Sequence, residues 1–87
     1  MEKTFHLTVV TPQRVVFDGP VSAMVVPGGD GRLGVLARHA PLITTLAPGD
    51  LSLTLTQGEK QSFRIGVGFL DVLHNAATLL TESIAPA

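Results

Sequence analysis

The feature that most constrains the fold of this 87-residue chain is an alternation of apolar and polar residues with a period of two. Residues 51–55, which read Leu-Ser-Leu-Thr-Leu, are its clearest example. Because successive side chains of a strand point to opposite faces, the pattern predicts a strand with one buried face. The alternation recurs in residues 5–10 and 62–67. Residues 21–26 are apolar on both faces, which predicts a strand covered on both sides.

Turn-forming residues interrupt this alternation at short intervals. Glycine accepts positive φ and proline presets φ, so each cluster of them predicts a reversal of the chain. The clusters lie at residues 11–12, 18–20, 27–31, 48–50, 57–59 and 74–76. Many short strands at this spacing predict a single all-β domain over residues 1–87, an antiparallel sandwich or a flattened barrel. Residues 76–84 fit either a short helix or a last strand.

Composition excludes several classes of function. Charged residues make up only 15% of the chain and the net charge is −1, so there is no basic footprint for nucleic acid. The low charge suggests that partners cover part of the surface. There is no cysteine for a disulfide or a thiolate metal site. No apolar run reaches the roughly 18 residues of a membrane span, and the first residues alternate, unlike a signal peptide. We therefore expect a chain exposed to the cytosol.

The titratable residues show no catalytic or metal-binding constellation. The three histidines, His6, His39 and His74, lack the spacing of a zinc site, and most aspartates lie in predicted turns. The glycine-rich residues 27–34 lack the Gly-Lys-Ser/Thr ending of a phosphate loop, which favours a hairpin tip. We therefore expect no catalytic residue, no metal and no cofactor. Two roles remain open for His39, which precedes Ala40-Pro41: hydrogen bonding to the loop backbone, or facing a partner.

Several sequence blocks, in order along the chain, resemble the epsilon subunit of F-type ATP synthase, specifically its N-terminal domain. The most specific run is Gly-x-Leu-Gly-Val at residues 31–35, followed by His-Ala-Pro-Leu at residues 39–42 and Pro-Gly at residues 48–49. The further matching blocks are residues 7–12 (Leu-Thr-Val-Val-Thr-Pro), 18–21 (Asp-Gly-Pro-Val), 25–28 (Val-Val-Pro-Gly) and 68–72 (Gly-Phe-Leu-Asp-Val).

The resemblance implies an antiparallel β-sandwich of about ten short strands in two sheets. It also implies a non-catalytic subunit of the central stalk, which links the gamma subunit to the membrane c ring and helps couple proton translocation to ATP synthesis. Such a subunit lies peripherally at the cytoplasmic face of an energy-transducing membrane. For this chain we expect a bacterial inner membrane. By position, the loop that contacts the c ring comprises Gly28, Gly29, Asp30, Gly31 and Arg32. The contacts with gamma include Thr11, His39 and Thr44.

Two positions depart from the family pattern. Relatives often carry a glycine where Val67 stands, and since valine is stiff we expect a straighter strand there. Relatives also often carry an acidic residue at the position of Arg32, which alters the charge pairing with the c ring. Family members usually continue into two C-terminal helices, whereas this sequence ends at Ala87, just past the predicted sandwich, as a naturally short subunit or a fragment would. From this we expect neither latent inhibition nor ATP binding.

The competing hypothesis is a free-standing β-sandwich module that binds a small ligand or a carbohydrate. Such modules usually present exposed tryptophan or tyrosine as stacking platforms. The chain contains neither residue, which favours the stalk subunit. An enzyme is the third alternative and has no residue constellation to support it.

Overall fold

The computed structural model describes residues 3–87, which form nine strands and no helix. In chain order the strands are β1 (Phe5–Val10), β2 (Val15–Gly28), β3 (Gly31–Leu36), β4 (Leu42–Leu46), β5 (Gly49–Leu55), β6 (Lys60–Ile65), β7 (Gly68–Leu73), β8 (Ala76–Thr81) and β9 (Ile84–Pro86). The all-β prediction is confirmed, with nine strands where about ten were expected. Residues 76–81 form a strand, which settles the choice between helix and strand.

The long strand β2 joins the two layers of the fold. Hydrogen bonding follows the order β1-β8-β7-β4-β2-β5-β6-β9, and β2 also pairs with β1 and β3. The first half of β2 pairs with β1 over residues 15–21, and its second half pairs with β3 and β5. One layer therefore contains β1, β8, β7 and β4, and the other contains β3, β2, β5, β6 and β9. All pairings are antiparallel except β1 with β8.

The core lies between these layers and contains the inward-pointing residues of the alternating pattern. Both layers contribute side chains that are less than 2% exposed, and these side chains form a single hydrophobic core. The largest fully buried side chains are Leu7, Val9, Leu70 and Leu79 from one layer, Val35, Leu51 and Leu53 from the other, and Val21, Met24 and Val26 from β2.

A bulge in β2 overturns the simple alternation expected for residues 21–26. The register with β5 shifts between Val21 and Ala23, so the buried residues after Val21 are Met24 and Val26. An extra residue in one strand moves the following side chains to the other face, which alternation alone does not reveal. Val25 and Ala23 are only half-buried, so this strand is not fully covered on both sides.

Two further local expectations are wrong. Residues 18–20, predicted as a turn, continue β2, where Pro20 pairs with β1 alone because β5 joins β2 only from Val21. Proline lacks an N–H group and is therefore tolerated on a strand that has a neighbour on one side only. The straighter strand expected at Val67 is not observed either. Strand β6 ends at Ile65, the chain bends at Val67, and β7 begins at Gly68.

Candidate functional site

The predicted c-ring loop is the tip of the β2–β3 hairpin. Gly28 pairs with Gly31, which leaves Gly29 and Asp30 as a two-residue turn. A Cβ atom at Gly28 would lie 2.7 Å from the carbonyl oxygen of Gly31, and Gly31 has a φ of 132°. The amide of Gly29 donates to the carbonyl of Thr45 at 3.1 Å, which ties the tip to β4. The glycines therefore shape an exposed, backbone-rich loop at one end of the molecule.

Arg32 follows the tip and shares its surroundings with a second arginine. Its Nη1 lies 3.5 Å from the carbonyl oxygen of Asp50, whose carboxylate accepts a hydrogen bond from Arg64 at 3.1 Å. Two cations thus flank one anion on the exposed surface near the tip. The sequence did not indicate Arg64, because only the β5–β6 register places it opposite Asp50.

The three residues predicted to contact gamma do not form one cluster. Thr11 is buried and closes the turn before β2, where its amide donates to the carbonyl of Arg14 at 2.9 Å. Thr44 is half-buried and pairs with the buried Leu70, so it has the orientation of a core-facing residue. The ring Nδ1 of His39 lies 2.8 Å from the carbonyl oxygen of Ala40, which is the backbone role considered for this residue.

Thr11 and His39 also lie at opposite ends of the same layer. Thr11 follows Val10, which pairs with Leu80 near the end of β8. The loop of His39 is held at the other end, where the amide of Arg38 donates to Oδ1 of Asn75 at 2.7 Å. Since β8 has six residues, these ends are about 17 Å apart.

Sequence reasoning missed an exposed apolar surface on the outer side of the layer that contains β1, β8, β7 and β4. We call this the apolar face. One row across the four strands consists of Val10, Leu80, Phe69 and Thr45, in register. Phe69 is 56% exposed, and Leu80 is 46% exposed. The row lines an open groove of about 670 Å³, whose rim includes Val67 and Glu82.

A second depression of about 440 Å³ lies farther along the apolar face. Pro41, Ile43, Asp71 and Leu73 are among its lining residues. Ile43 is 76% exposed, the largest exposure of any big apolar side chain among residues 3–87. The signal for this face was in the sequence, because Phe69, Asp71 and Leu73 alternate with the buried residues of β7. Several large apolar residues at outward positions of one face are informative, whereas a single one is not.

The edge of the apolar face carries a hydrogen-bonded group of side chains between β1 and β2. Nε2 of His6 lies 2.5 Å from Oδ1 of Asp18, and the Thr8 hydroxyl donates to the same oxygen at 3.2 Å. The hydrogen bond from His6, followed by that from Thr8, lowers the pKa of the Asp18 carboxyl. Across residues 3–87 no group of three His, Cys, Asp or Glu side chains could hold a metal ion. The same residues contain no helix suited to crossing a bilayer.

Comparison with known proteins identifies relatives over almost the whole chain. Residues 4–87 match the family model described as ATP synthase, Delta/Epsilon chain, beta-sandwich domain. The chain is 40% identical over 84 residues to the ATP synthase epsilon chain of Chlorobium limicola, covering 97% of this chain and 96% of that protein. It is 42% identical over 82 residues to the epsilon chain of Chloroflexus aggregans, covering 94% of this chain but only 58% of the relative.

Solved structures show the same fold. A chain of the Euglena gracilis mitochondrial ATP synthase, solved as OSCP/F1/c-ring, matches with a TM-score of 0.92 and 27% identity. This match covers 99% of the present chain and 55% of the other chain. A chain from the central stalk/c-ring of the Tetrahymena thermophila enzyme matches with a TM-score of 0.81 at 16% identity, covering 99% and 69% of the two chains, and supports the fold alone.

Proposed function

Because the chain belongs to the delta/epsilon-chain β-sandwich family of ATP synthase, we propose that it links the gamma subunit to the membrane c ring. In this role it helps couple proton translocation to ATP synthesis as a non-catalytic part of the central stalk. The family match favours this function over the free-standing ligand-binding module. The proposed location is the cytoplasmic face of a bacterial inner membrane, which the chain reaches through the complex.

The observation that carries this proposal is the apolar face. Phe69, Leu80 and Ile43 are large apolar side chains left exposed on one face of a chain of only 87 residues. Such a surface on a small domain indicates a partner. A central aromatic side chain surrounded by aliphatic ones is typical of the residues that dominate binding energy. We therefore assign the contact with gamma to the apolar face, where Phe69 is the exposed aromatic side chain.

The residues predicted to contact gamma fit this assignment unequally. Thr11 lines the groove at the Phe69 end, and His39 lies at the opposite end of the same layer. Both are therefore proposed as peripheral contacts of the apolar face. Thr44 has a core-facing orientation, so its neighbours Ile43 and Thr45 are better placed to touch a partner.

The hairpin tip is the proposed contact with the c ring. Gly29, Asp30 and Gly31 are exposed, and the two glycines have no side chain to hold a polar loop at a distance. Arg32 and Arg64 add positive charge beside the tip. The tip adjoins the Leu46 end of β4, next to the groove, so one end of the domain could touch gamma and the c ring together.

Binding to purified gamma subunit tests this function. We expect a one-to-one complex at micromolar concentration in size-exclusion chromatography. Phe69→Asp should weaken binding by about 2 kcal/mol or more, since it removes the exposed aromatic side chain and places a charge in the contact. Ser62→Asp makes the same kind of change on exposed β6 and should leave binding unchanged. The absence of a complex, or equal effects of the two substitutions, would contradict the proposal.

A further inference from the structure

The apolar face contains one carboxylate that the protein itself does not satisfy. Asp71 is exposed at the middle of β7. Its cross-strand neighbours are Ile43 and Thr78, and the next outward residues on its own strand are Phe69 and Leu73. Three of these four neighbours are large exposed apolar side chains. Asp71 is therefore surrounded by the surface that a partner would cover.

Asp18, the other carboxylate in the same cross-strand row, does have hydrogen-bond partners within the chain. In this row Asp18 of β2 pairs with Thr8 of β1, and Thr8 pairs with Thr78 of β8. Thr78 pairs in turn with Asp71 of β7. Asp18 accepts hydrogen bonds from His6 and Thr8. Among residues 3–87 the ion pairs are His6 with Asp18 and Arg64 with Asp50, and neither includes Asp71. Within residues 3–87, no ion pair or side-chain hydrogen bond involves the Asp71 carboxylate.

This arrangement restricts what can cover the face. Transferring an unpaired carboxylate from water into an apolar contact carries a large desolvation penalty. A covering surface must therefore supply a cation or several hydrogen-bond donors opposite Asp71. The outward residues of the four strands include no lysine or arginine; they are His6, Thr8, Val10, Ala76, Thr78, Leu80, Phe69, Leu73, Ile43, Thr45 and Asp71 itself. The cation has to come from the partner.

We propose that Asp71 is the specificity-determining residue of the apolar face, and that it selects a protein surface presenting one lysine or arginine among apolar side chains. The inference rests on the proposed function, in which that surface belongs to gamma. A second copy of this chain is a poor match, because face-to-face docking would bring Asp71 against a face with no lysine or arginine. Glu82 is the other acid of this region and lines the groove, but its side chain packs over Gly66, where Cγ and Oε2 leave no room for a Cβ atom, and it does not belong to the outward residues of the four strands.

The dissociation constant for purified gamma subunit, measured at two salt concentrations, tests the inference. Asp71→Asn keeps the shape of the side chain and removes its charge, and we expect at least tenfold weaker binding with a smaller dependence on salt. Asp71→Lys opposes the partner's cation and should weaken binding at least 100-fold. The matched controls are Glu59→Gln and Glu59→Lys, which make the same charge changes in the exposed β5–β6 turn and should alter binding less than twofold.

The outcomes separate the two proposals. If the unsubstituted chain does not bind gamma, the proposed function fails and this inference fails with it. If the chain binds gamma and Asp71→Asn binds equally well or more tightly, the apolar face is used without a partner cation and this inference alone is overturned. Loss of the thermal unfolding transition in Asp71→Asn would show that Asp71 acts within the fold, which also overturns it.

Discussion

The two outer surfaces of the sandwich differ in what they offer to solvent. The apolar face presents Phe69, Leu80, Ile43 and Leu73. The opposite surface, formed by the outward residues of β3, β2, β5 and β6 and here called the polar face, presents small or hydroxyl residues such as Ser52, Thr54 and Ser62, with Leu36 as its exposed large apolar side chain. Both faces cover the same core, so the core does not explain the difference.

The treatment of charge on the two faces shows the same contrast. On the polar face the Asp50 carboxylate pairs with Arg64 and the Asp50 carbonyl lies near Arg32, so this carboxylate has a cation within the chain. On the apolar face no cation of the described residues 3–87 pairs with Asp71. A face that remains in water can satisfy its own charges, whereas a face that docks on a partner can leave one for the partner to satisfy. We read the polar face as solvent-facing and the apolar face as an interface.

The largest effect on stability is expected for a substitution at Gly68, where the backbones of β7 and β8 approach closely beneath the apolar face. A Cβ atom at Gly68 would overlap the carbonyl oxygen of Leu80, whereas one at Gly34 on the polar face would meet nothing within 4 Å. Gly68→Ala should lower the free energy of unfolding by about 3 kcal/mol. Gly34→Ala should change it by less than about 1 kcal/mol, in either direction. Denaturant unfolding of both variants measures this, and equal losses would contradict the packing described.

A smaller effect on stability is expected for a glycine substitution at the tip of the β2–β3 hairpin, at the end of the molecule where the two faces meet. A Cβ atom at Gly31 would be in open space, so the cost of Gly31→Val is backbone strain alone, from a φ of 132°. We expect a loss of about 1–3 kcal/mol in the free energy of unfolding. Gly34→Val, at an equally open position without positive φ, serves as the control. If Gly31→Val unfolds at the same denaturant concentration as Gly34→Val, the tip does not require glycine.

The charge pairing on the polar face should contribute less than either glycine. Arg32 and Arg64 are exposed, and exposed ion pairs contribute at most about 1 kcal/mol. Arg32→Ala should therefore leave the thermal unfolding transition nearly unchanged and weaken ATP-driven proton pumping only mildly in reconstituted membranes. Loss of folding in Arg32→Ala would show that this surface is not simply solvent-facing, and would break the comparison between the faces.

The smallest effect concerns the Asp18 carboxyl at the edge of the apolar face. Its pKa is below the ordinary value because His6 and Thr8 donate hydrogen bonds to the ionised form. A depressed folded-state pKa gives stability that is present at neutral pH and is lost as the pH falls through that pKa in the acid range. His6→Ala should raise the pKa of Asp18, and Thr8→Val should raise it less. Carboxyl NMR titration measures both, and an unchanged pKa in His6→Ala would contradict the assigned cause.

Alternation and turn residues predicted much of this fold, because a period of two and a glycine turn are local properties of the chain. Residues 51–55 form the half-buried β5, and the turns at Gly31 and Gly58 have positive φ as expected. The bulge after Val21 and the passage of Pro20 through β2 were not predictable, because both depend on which strand lies alongside.

The candidate site was less predictable than the fold. The tip followed from a glycine cluster, but the apolar face is assembled from four strands whose order only the tertiary structure gives. Phe69 and Leu80 are eleven residues apart in the chain and directly opposite in the sheet. Position in a family motif identified Thr44, yet its pairing with Leu70 turns it toward the core. The alternation of inward and outward residues along β4 would have favoured the outward residues Ile43 and Thr45.

The central claim is that gamma covers the apolar face and leaves the polar face in water, and the lack of cysteine in the chain makes this directly measurable. Thr78→Cys and Ser62→Cys place single thiols at exposed positions of β8 and β6, one on each face. The measurement is the rate of maleimide labelling of each variant, free and bound to gamma. We predict that gamma slows labelling at residue 78 at least tenfold and changes the rate at residue 62 less than twofold. Equal protection of the two thiols, or protection of residue 62 alone, would contradict the account.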